Sequence, residues 1–229
     1  GGEYDDRLRR LYVFHDTAEE LETARAKVCH VIEGFEQAFP GVDCAGAAVF
    51  SGPGRTEIGG NHTDHQHGCV NMDILACAVP TGDHFVKVVS EGYPALTIDL
   101  NDLTIHADET NTSAALIRGV AHGVSKEGFA LKGFCAYVTS TVPGGSGLSS
   151  SAAYEILLGN VFNRFCCEGR LDAVKLAQIG QYAEREYFGK PCGLMDQAAS
   201  SIGGVVAIDF NDPSQPVIRK VDYDLARSG

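Results

Sequence analysis

The chain has 229 residues, and its 18 Lys and Arg against 30 Asp and Glu set a formal charge of −12. That length is ample for one domain with a real core, and 44% hydrophobic with 21% charged residues is a globular balance that excludes a disordered chain. An acidic chain without a Lys/Arg block argues against nucleic-acid binding, and the longest apolar runs, such as Ile74 to Val79, are too short to cross a bilayer.

No signal-peptide pattern opens the chain, so a soluble, cytoplasmic enzyme domain is expected. The opening Gly1-Gly2, without methionine, is what a tag remnant or a trimmed chain would show. None of the eight cysteines sits in a C-x-x-C pair and several lie in apolar stretches, so reduced thiols are expected rather than a disulfide framework.

Thr17 and Glu20 have capping-box spacing, and Leu21, Val28, Val31, Ile32 and Phe35 then recur at helical spacing to about Phe39, where Pro40-Gly41 ends the helix. Ala45 to Phe50 reads as a short buried strand entering the turn-rich loop Ser51 to Arg55. Val70 to Val79, Phe85 to Val89 across a Thr81-Gly82-Asp83 turn, and Leu96 to Leu100 read as strands. Ser113 to about Ser125 reads as a helix and Phe134 to Val142 as a strand, broken by Pro143-Gly144-Gly145-Ser146-Gly147. Beyond it, Ala153, Leu157, Leu158, Val161, Phe162 and Phe165 mark a helix with one broad apolar face. A second helix is predicted over Leu171 to Phe188, with Val174, Ile179, Tyr182 and Ala183 inward, followed by strands at Val205 to Ile208 and Val217 to Val221. Strands and helices interleave without a regular βαβ rhythm, which predicts one α+β domain with a mixed sheet.

Three segments carry chemistry. The first is Pro143-Gly144-Gly145-Ser146-Gly147-Leu148-Ser149-Ser150-Ser151-Ala152-Ala153, which joins a strand to a helix. Small residues let the backbone close on a ligand, the free N–H groups of the first helical turn attract anions, and hydroxyls can donate to phosphate or ligate Mg²⁺. There is no Gly-Lys-Ser/Thr and no G-x-G-x-x-G, so neither the Walker loop nor the dinucleotide fingerprint applies. On these residues alone, a serine-capped turn and a phosphate loop stand level.

The second segment, Gly54 to His65, gathers Arg55, His62, Asp64 and His65 in a glycine-loosened loop. With His67 these could suggest a metal site, but the spacing is irregular for a helix-borne one. A solvated surface loop and a diol-binding site for sugar hydroxyls are the other two readings. The third segment holds Glu184, by default an exposed helical carboxylate, and Asp196 in Leu194-Met195-Asp196-Gln197-Ala198-Ala199. A lone acid in such apolar company is either a hydrogen-bonded helix cap or a functional acid.

The string Pro-x-x-x-Gly-Leu-Ser-Ser-Ser-Ala-Ala resembles the nucleotide loop of the GHMP small-molecule kinases, which wraps the ATP phosphates without a Walker motif. Gly54-Arg55-Thr56-Glu57-Ile58-Gly59-Gly60-Asn61-His62-Thr63-Asp64-His65 resembles the galactokinase string Gly-Arg-x-Asn-x-Ile-Gly-Glu-His-Thr-Asp-Tyr, with Glu57, Asn61 and His65 departing from its Asn, Glu and Tyr. Pro191-Cys192-Gly193-Leu194-Met195-Asp196-Gln197 matches the family's Pro-Cys-Gly-x-Met-Asp-Gln.

The resemblance implies the GHMP-kinase N-terminal domain, a mixed sheet packed with helices of the ribosomal protein S5 domain 2-like type, spanning 1–229. It also implies a C-terminal GHMP domain, which would begin about where this chain stops. It implies transfer of the ATP γ-phosphoryl to the anomeric hydroxyl of galactose, with ATP and Mg²⁺ required. ATP would lie on Pro143, Gly144, Gly145, Ser146, Gly147, Leu148, Ser149, Ser150, Ser151 and Ala152, and Mg²⁺ on Ser151 and Glu184. Asn61, His62, Asp64, Gly193 and Asp196 would hold the sugar. Asp196 would accept or orient the hydroxyl proton, and Arg55 would keep Asp196 ionised. L-arabinose, N-acetylgalactosamine and mevalonate are alternative substrates of the same fold; Asn61, where the family Glu helps hold the C6 hydroxyl, points to L-arabinose, which lacks the C6 hydroxymethyl, and the Arg55 to Asp64 segment disfavours mevalonate. A non-catalytic sugar and ATP sensor is a different class of alternative. Such relatives can lose a Ser-Ala pair from the loop, and Ser151-Ala152-Ala153 is complete here. The implied partners are a small sugar and ATP, with no nucleic acid and no membrane, and nothing in the sequence speaks to oligomeric state.

Overall fold

The computed structural model describes residues 18–52, 74–140, 149–193, 206–209 and 217–220. Helix α1 runs Ala18–Ala38 and buries Ala24, Val28, Val31 and Phe35 on one stripe, as its spacing predicts. Strand β1 is Ala48–Gly52, starting three residues later than expected. A turn intervenes: the Asp43 carboxylate accepts from the Ala45 N–H at 3.1 Å, and the Ala47 N–H donates to the Cys44 carbonyl at 3.0 Å. Strand β2, Ile74–Pro80, falls in the stretch read from Val70, whose first four residues lie outside the described residues. Asp83 then turns the chain by accepting from the Thr81 hydroxyl (2.7 Å) and the Phe85 N–H (3.0 Å), and β3 follows at Phe85–Ser90.

Strand β4 is Leu96–Asp99, and a short 3₁₀ turn at Ala107–Glu109 leads to α2, Ser113–Lys126, which Thr112 caps by accepting from the Ala115 N–H. Strand β5 (Phe134–Ser140) and helix α3 (Ser149–Cys166) flank the glycine–serine loop. The helix expected over Leu171 to Phe188 divides in two. Asp172 takes the N-cap, accepting from the Lys175 N–H at 2.7 Å, so α4 is Ala173–Tyr182 and Leu171 is buried ahead of it. The remaining residues, Ala183–Phe188, form a π-helical turn. Val174, expected inward, is 39% exposed, because the helix starting at Ala173 turns Leu176, Ala177, Ile179 and Gly180 to the core instead. Strands β6 (Val206–Asp209) and β7 (Val217–Lys220) fall within one residue of the expected spans.

The seven strands form one sheet in the order β4-β3-β5-β2-β1-β6-β7, antiparallel throughout except for the parallel β3–β5 pair. The central strands β1, β2 and most of β5 are buried on both faces, and their side chains alternate between two cores, whereas β3 and β4 leave one face exposed. Val49, Leu75, Cys77, Val79 and Cys135 meet α1, while Ala48, Phe50, Ala76, Ala78, Phe134, Ala136 and Val138 meet α2, α3 and α4. The result is a three-layer α+β domain with a mixed sheet, as the element pattern predicts. Cys29, Cys44, Cys77, Cys135, Cys166 and Cys167 are free thiols.

In the larger core, Phe134 meets Phe162 edge-to-face with centroids 5.0 Å apart, and neither ring is exposed. Phe162→Ala removes a fully buried ring from this layer and should lower the unfolding free energy by about 3–5 kcal/mol, read from urea denaturation. A loss below about 1 kcal/mol would show that the layer repacks freely around the void.

Candidate active site

The end of β1 and the start of α3 are in contact. A Cβ placed on Gly52 would lie 2.8 Å from Ile74 Cγ2 and 3.5 Å from the Ala153 carbonyl oxygen, so only glycine fits without displacing a neighbour. Gly52, the last described residue of β1, therefore lies beside the N-terminal part of α3.

Ser151 sits in the first turn of α3, half-buried, and Ala152 beside it is buried. The Ser151 hydroxyl donates to Glu184 Oε1 at 3.1 Å. Glu184, by default an exposed helical carboxylate, is only 2% exposed. A buried carboxylate needs compensation, and here it lies where the α3 N-terminus contributes partial positive charge. One carboxylate and one hydroxyl, meeting at the first turn of α3, form a hard oxygen donor pair. Mg²⁺ characteristically takes one or two protein oxygens and completes its shell with water and phosphate oxygens, so the donor set fits this ion. Among the described residues no group of three or more His, Cys, Asp or Glu gathers as a metal site.

The backbone under Glu184 is held from several sides. Within the π-helical turn, the N–H groups of Gly189 and Lys190 both return to the Glu184 carbonyl, and Gly189 adopts φ +85°, which suits glycine. The Asn111 N–H donates to the Phe188 carbonyl at 3.1 Å. The Tyr187 hydroxyl donates to the Leu103 carbonyl, and burial pushes this phenol up to about 12, so it stays a donor at neutral pH. The segment it grips is itself tied down. Arg118, on α2, forks onto Glu109 with two bonds of 2.9 Å and donates to the Asp102 carbonyl. Asp102 accepts from the Thr104 hydroxyl (2.6 Å) and N–H (3.1 Å) and from His106 Nε2 (2.9 Å), which together draw its carboxyl down to about 2.

Gly193 lies exposed beyond the π turn, in a segment anchored where Gln181 Nε2 donates to the Cys192 carbonyl at 3.4 Å. Of the sequence-predicted site, Ser151, Ala152, Glu184 and Gly193 are therefore placed, and Ser151 and Glu184 are brought together. Arg55, Asn61, His62, Asp64, Pro143 to Leu148 and Asp196 lie outside the described residues, as do the side chains of Ser149 and Ser150. The sequence reading passed over Glu155, one turn after Ser151 and 1% exposed, although an acid among Ala153, Leu157 and Leu158 was signal enough. It also passed over Arg118, Glu109 and Tyr187.

Residues 114–204 match the family profile described as GHMP kinases N terminal domain, and residues 33–81 match the galactokinase galactose-binding signature. The chain belongs to the GHMP kinases. Within them its similarity runs to galactokinases: it is 32% identical over 159 residues to the Clostridium tetani galactokinase and 33% identical over 189 residues to that of Streptomyces coelicolor. These alignments cover 67% and 79% of this chain but 40% and 48% of the relatives, so the chain spans less than half the length of the curated galactokinases it matches. The crystal structure of Lactococcus lactis galactokinase complexed with galactose superposes with a TM-score of 0.64 at 26% identity, over 86% of this chain and 52% of that one. A putative sugar kinase from Campylobacter jejuni shares the fold at a TM-score of 0.51 and 18% identity, over 78% of this chain and 57% of that one. The GHMP N-terminal match contains Ser151, Glu184 and Asp196, and the galactose-binding match contains Arg55, Asn61, His62 and Asp64. No helix among the described residues is long and apolar enough to cross a membrane.

His122, on α2, shares a 2.8 Å hydrogen bond with the hydroxyl of Tyr182, the last residue before the π turn. Burial first, and then the Lys126 ammonium, hold its imidazole below the usual range. Because the folded value is depressed, His122 contributes stability above the unfolded pKa of about 6.5, and that contribution is lost as pH falls toward the folded value. The melting temperature should therefore fall between about pH 7.5 and 5.5 in the wild type and fall less in His122→Gln. Equal slopes in the two proteins would remove His122 from the acid response.

Proposed function

We propose that this chain forms the sugar- and nucleotide-binding part of a galactokinase, which transfers the γ-phosphoryl group of ATP to the anomeric hydroxyl of D-galactose. The carrying observation is the buried Glu184 carboxylate bonded at 3.1 Å to Ser151, in the first turn after the glycine–serine loop. The galactokinase relatives and the galactose-binding match over residues 33–81 support the choice of sugar. Because the chain covers under half of those relatives, the activity is proposed for the whole protein. In this reading residues 1–229 are its N-terminal domain, with a C-terminal domain completing the cleft, in a cytoplasmic protein.

Pro143 to Ala152 would cradle the triphosphate through backbone N–H groups and serine hydroxyls, which match the spread negative charge of the transferring group. Ser151 and Glu184 would hold Mg²⁺, which supplies charge neutralisation on the phosphate oxygens when bound. Asn61, His62, Asp64 and Gly193 would orient the sugar so that its anomeric oxygen lies in line with the γ-phosphorus. Asp196 would orient that hydroxyl and receive its proton as the new P–O bond forms and the bond to the β-phosphate oxygen breaks, releasing ADP. Arg55 would keep Asp196 ionised and steady the developing charge.

Coupled ADP release by the whole protein, measured with galactose, L-arabinose and N-acetylgalactosamine, tests the reading. Galactose should give the highest kcat/KM, and a preference for L-arabinose would identify Asn61 as having moved specificity away from the C6 hydroxymethyl. Glu184→Gln and Asp196→Asn should each lower kcat by about a hundredfold or more, Asp196→Asn with sugar binding intact. No dependence on any of the three sugars would overturn the kinase reading, and near-normal turnover in Asp196→Asn would remove that residue from the chemistry.

A further inference from the structure

The helix that delivers Glu184 lies very close to α2, and glycine is the reason. Along α2, Gly119 and Gly123 are one turn apart and both buried, facing Ala183 and Ile179, which are one turn apart on the opposing helix. A Cβ on Gly123 would meet a side-chain methyl of Ile179, Cγ2, at 2.8 Å. A Cβ on Gly119 would meet backbone: 2.8 Å from Ala183 Cα, 2.8 Å from Ala183 Cβ and 3.0 Å from Tyr187 Cδ2. A side-chain methyl can shift by a change of χ1, but a Cα can move only with its backbone. Ala183 opens the π turn, and the next residue is Glu184.

We propose that Gly119 is a positioning residue for the cation–nucleotide site, its missing Cβ setting the depth at which Ala183, and with it Glu184, sits beside Ser151. The inference rests on the reading of Ser151 and Glu184 as the Mg²⁺-holding pair. Relieving a 2.8 Å contact to ordinary carbon separation moves Ala183 by about 1 Å. Glu184 cannot hold its place by pivoting, because its carbonyl is gripped by the N–H groups of Gly189 and Lys190 and the turn is tied to Asn111 and Leu103. A shift of that size would break the 3.1 Å Ser151–Glu184 bond. It also exceeds the latitude of Mg²⁺, which demands near-ideal octahedral geometry.

The test uses the whole protein and reads Mn²⁺ affinity by electron paramagnetic resonance in the presence of a non-hydrolysable ATP analogue, with melting temperature recorded alongside. Gly119→Ala should weaken Mn²⁺ binding by about tenfold or more. Gly34→Ala is the control: its Cβ would press on the half-buried Tyr137 ring at 2.1 Å, on the α1 side of the sheet. It should lower the melting temperature and leave Mn²⁺ affinity at the wild-type value. If Gly119→Ala fails to fold, Ala183→Gly slackens the same contact from the other side and should weaken Mn²⁺ binding by about threefold or more. Wild-type affinity in the folded Gly119→Ala protein, or in its Ala183→Gly substitute, overturns the inference, as does an equal loss in Gly34→Ala. Glu184→Gln separates the two layers of the argument. If it loses Mn²⁺ while Gly119→Ala keeps it, the positioning role alone is wrong; if it keeps Mn²⁺, the cation reading falls and the inference with it.

Discussion

The contact of α2 with the α4–π helix is the constraint on which the arrangement of this end of the domain depends. Helices separated by ordinary side chains settle about 8–10 Å apart, and glycine at a contact point lets them come closer. Here Gly119 and Gly123 allow that approach, with Ala183 and Ile179 on the other side. The closeness brings an acid on one helix to the first turn of another, and Ser151 and Glu184 are 33 residues apart in sequence yet share a hydrogen bond. A wider separation would leave the same fold with the two oxygens apart.

Around that contact the structure spends its polar interactions on the segment between β4 and α2. Arg118 is 7% exposed and Glu109 18% exposed, and taking one partner from so desolvated a pair costs about 3 kcal/mol or more. The pair, the Asp102–Thr104–His106 turn and the Tyr187–Leu103 bond convert a stretch with little regular structure into a rigid wall against the π turn. A π turn is an energetically poor helix, and such turns persist where neighbours hold them. The neighbours here are named residues with named bonds.

Much of the fold was legible from the sequence because its elements follow simple periodicities. Val28, Val31 and Phe35 mark one helix face, and Leu157, Val161 and Phe165 another. The divergences have local causes. Asp172 and Asp43 are side chains that compete for backbone N–H groups, and each delayed an element by two or three residues. The π turn was invisible because its spacing is that of a helix until the chain must close. In the site, the Gly/Ser loop and the two motif strings were legible through resemblance, and Ser151 with Glu184 is the pair brought together in space. Burial of Glu184 could not be read from Tyr182-Ala183-Glu184-Arg185-Glu186, because the residues that bury it come from other elements. The Gly119-x-x-x-Gly123 spacing was readable as a close-approach face, although nothing in sequence says what approaches it.

The register of β1 has an implication for how the chain is made. Residues 48–51 pair on one side with β2, the next strand in sequence, and on the other with residues 206–209 of β6. A nascent chain not yet extended to residue 206 therefore carries β1 as an open sheet edge, lined by Ala48, Val49 and Phe50. Both glycine-rich segments, 54–65 and 143–152, emerge from the ribosome before that edge is covered. The interval between them and β6 is when this domain is most exposed to mispairing with another copy of itself.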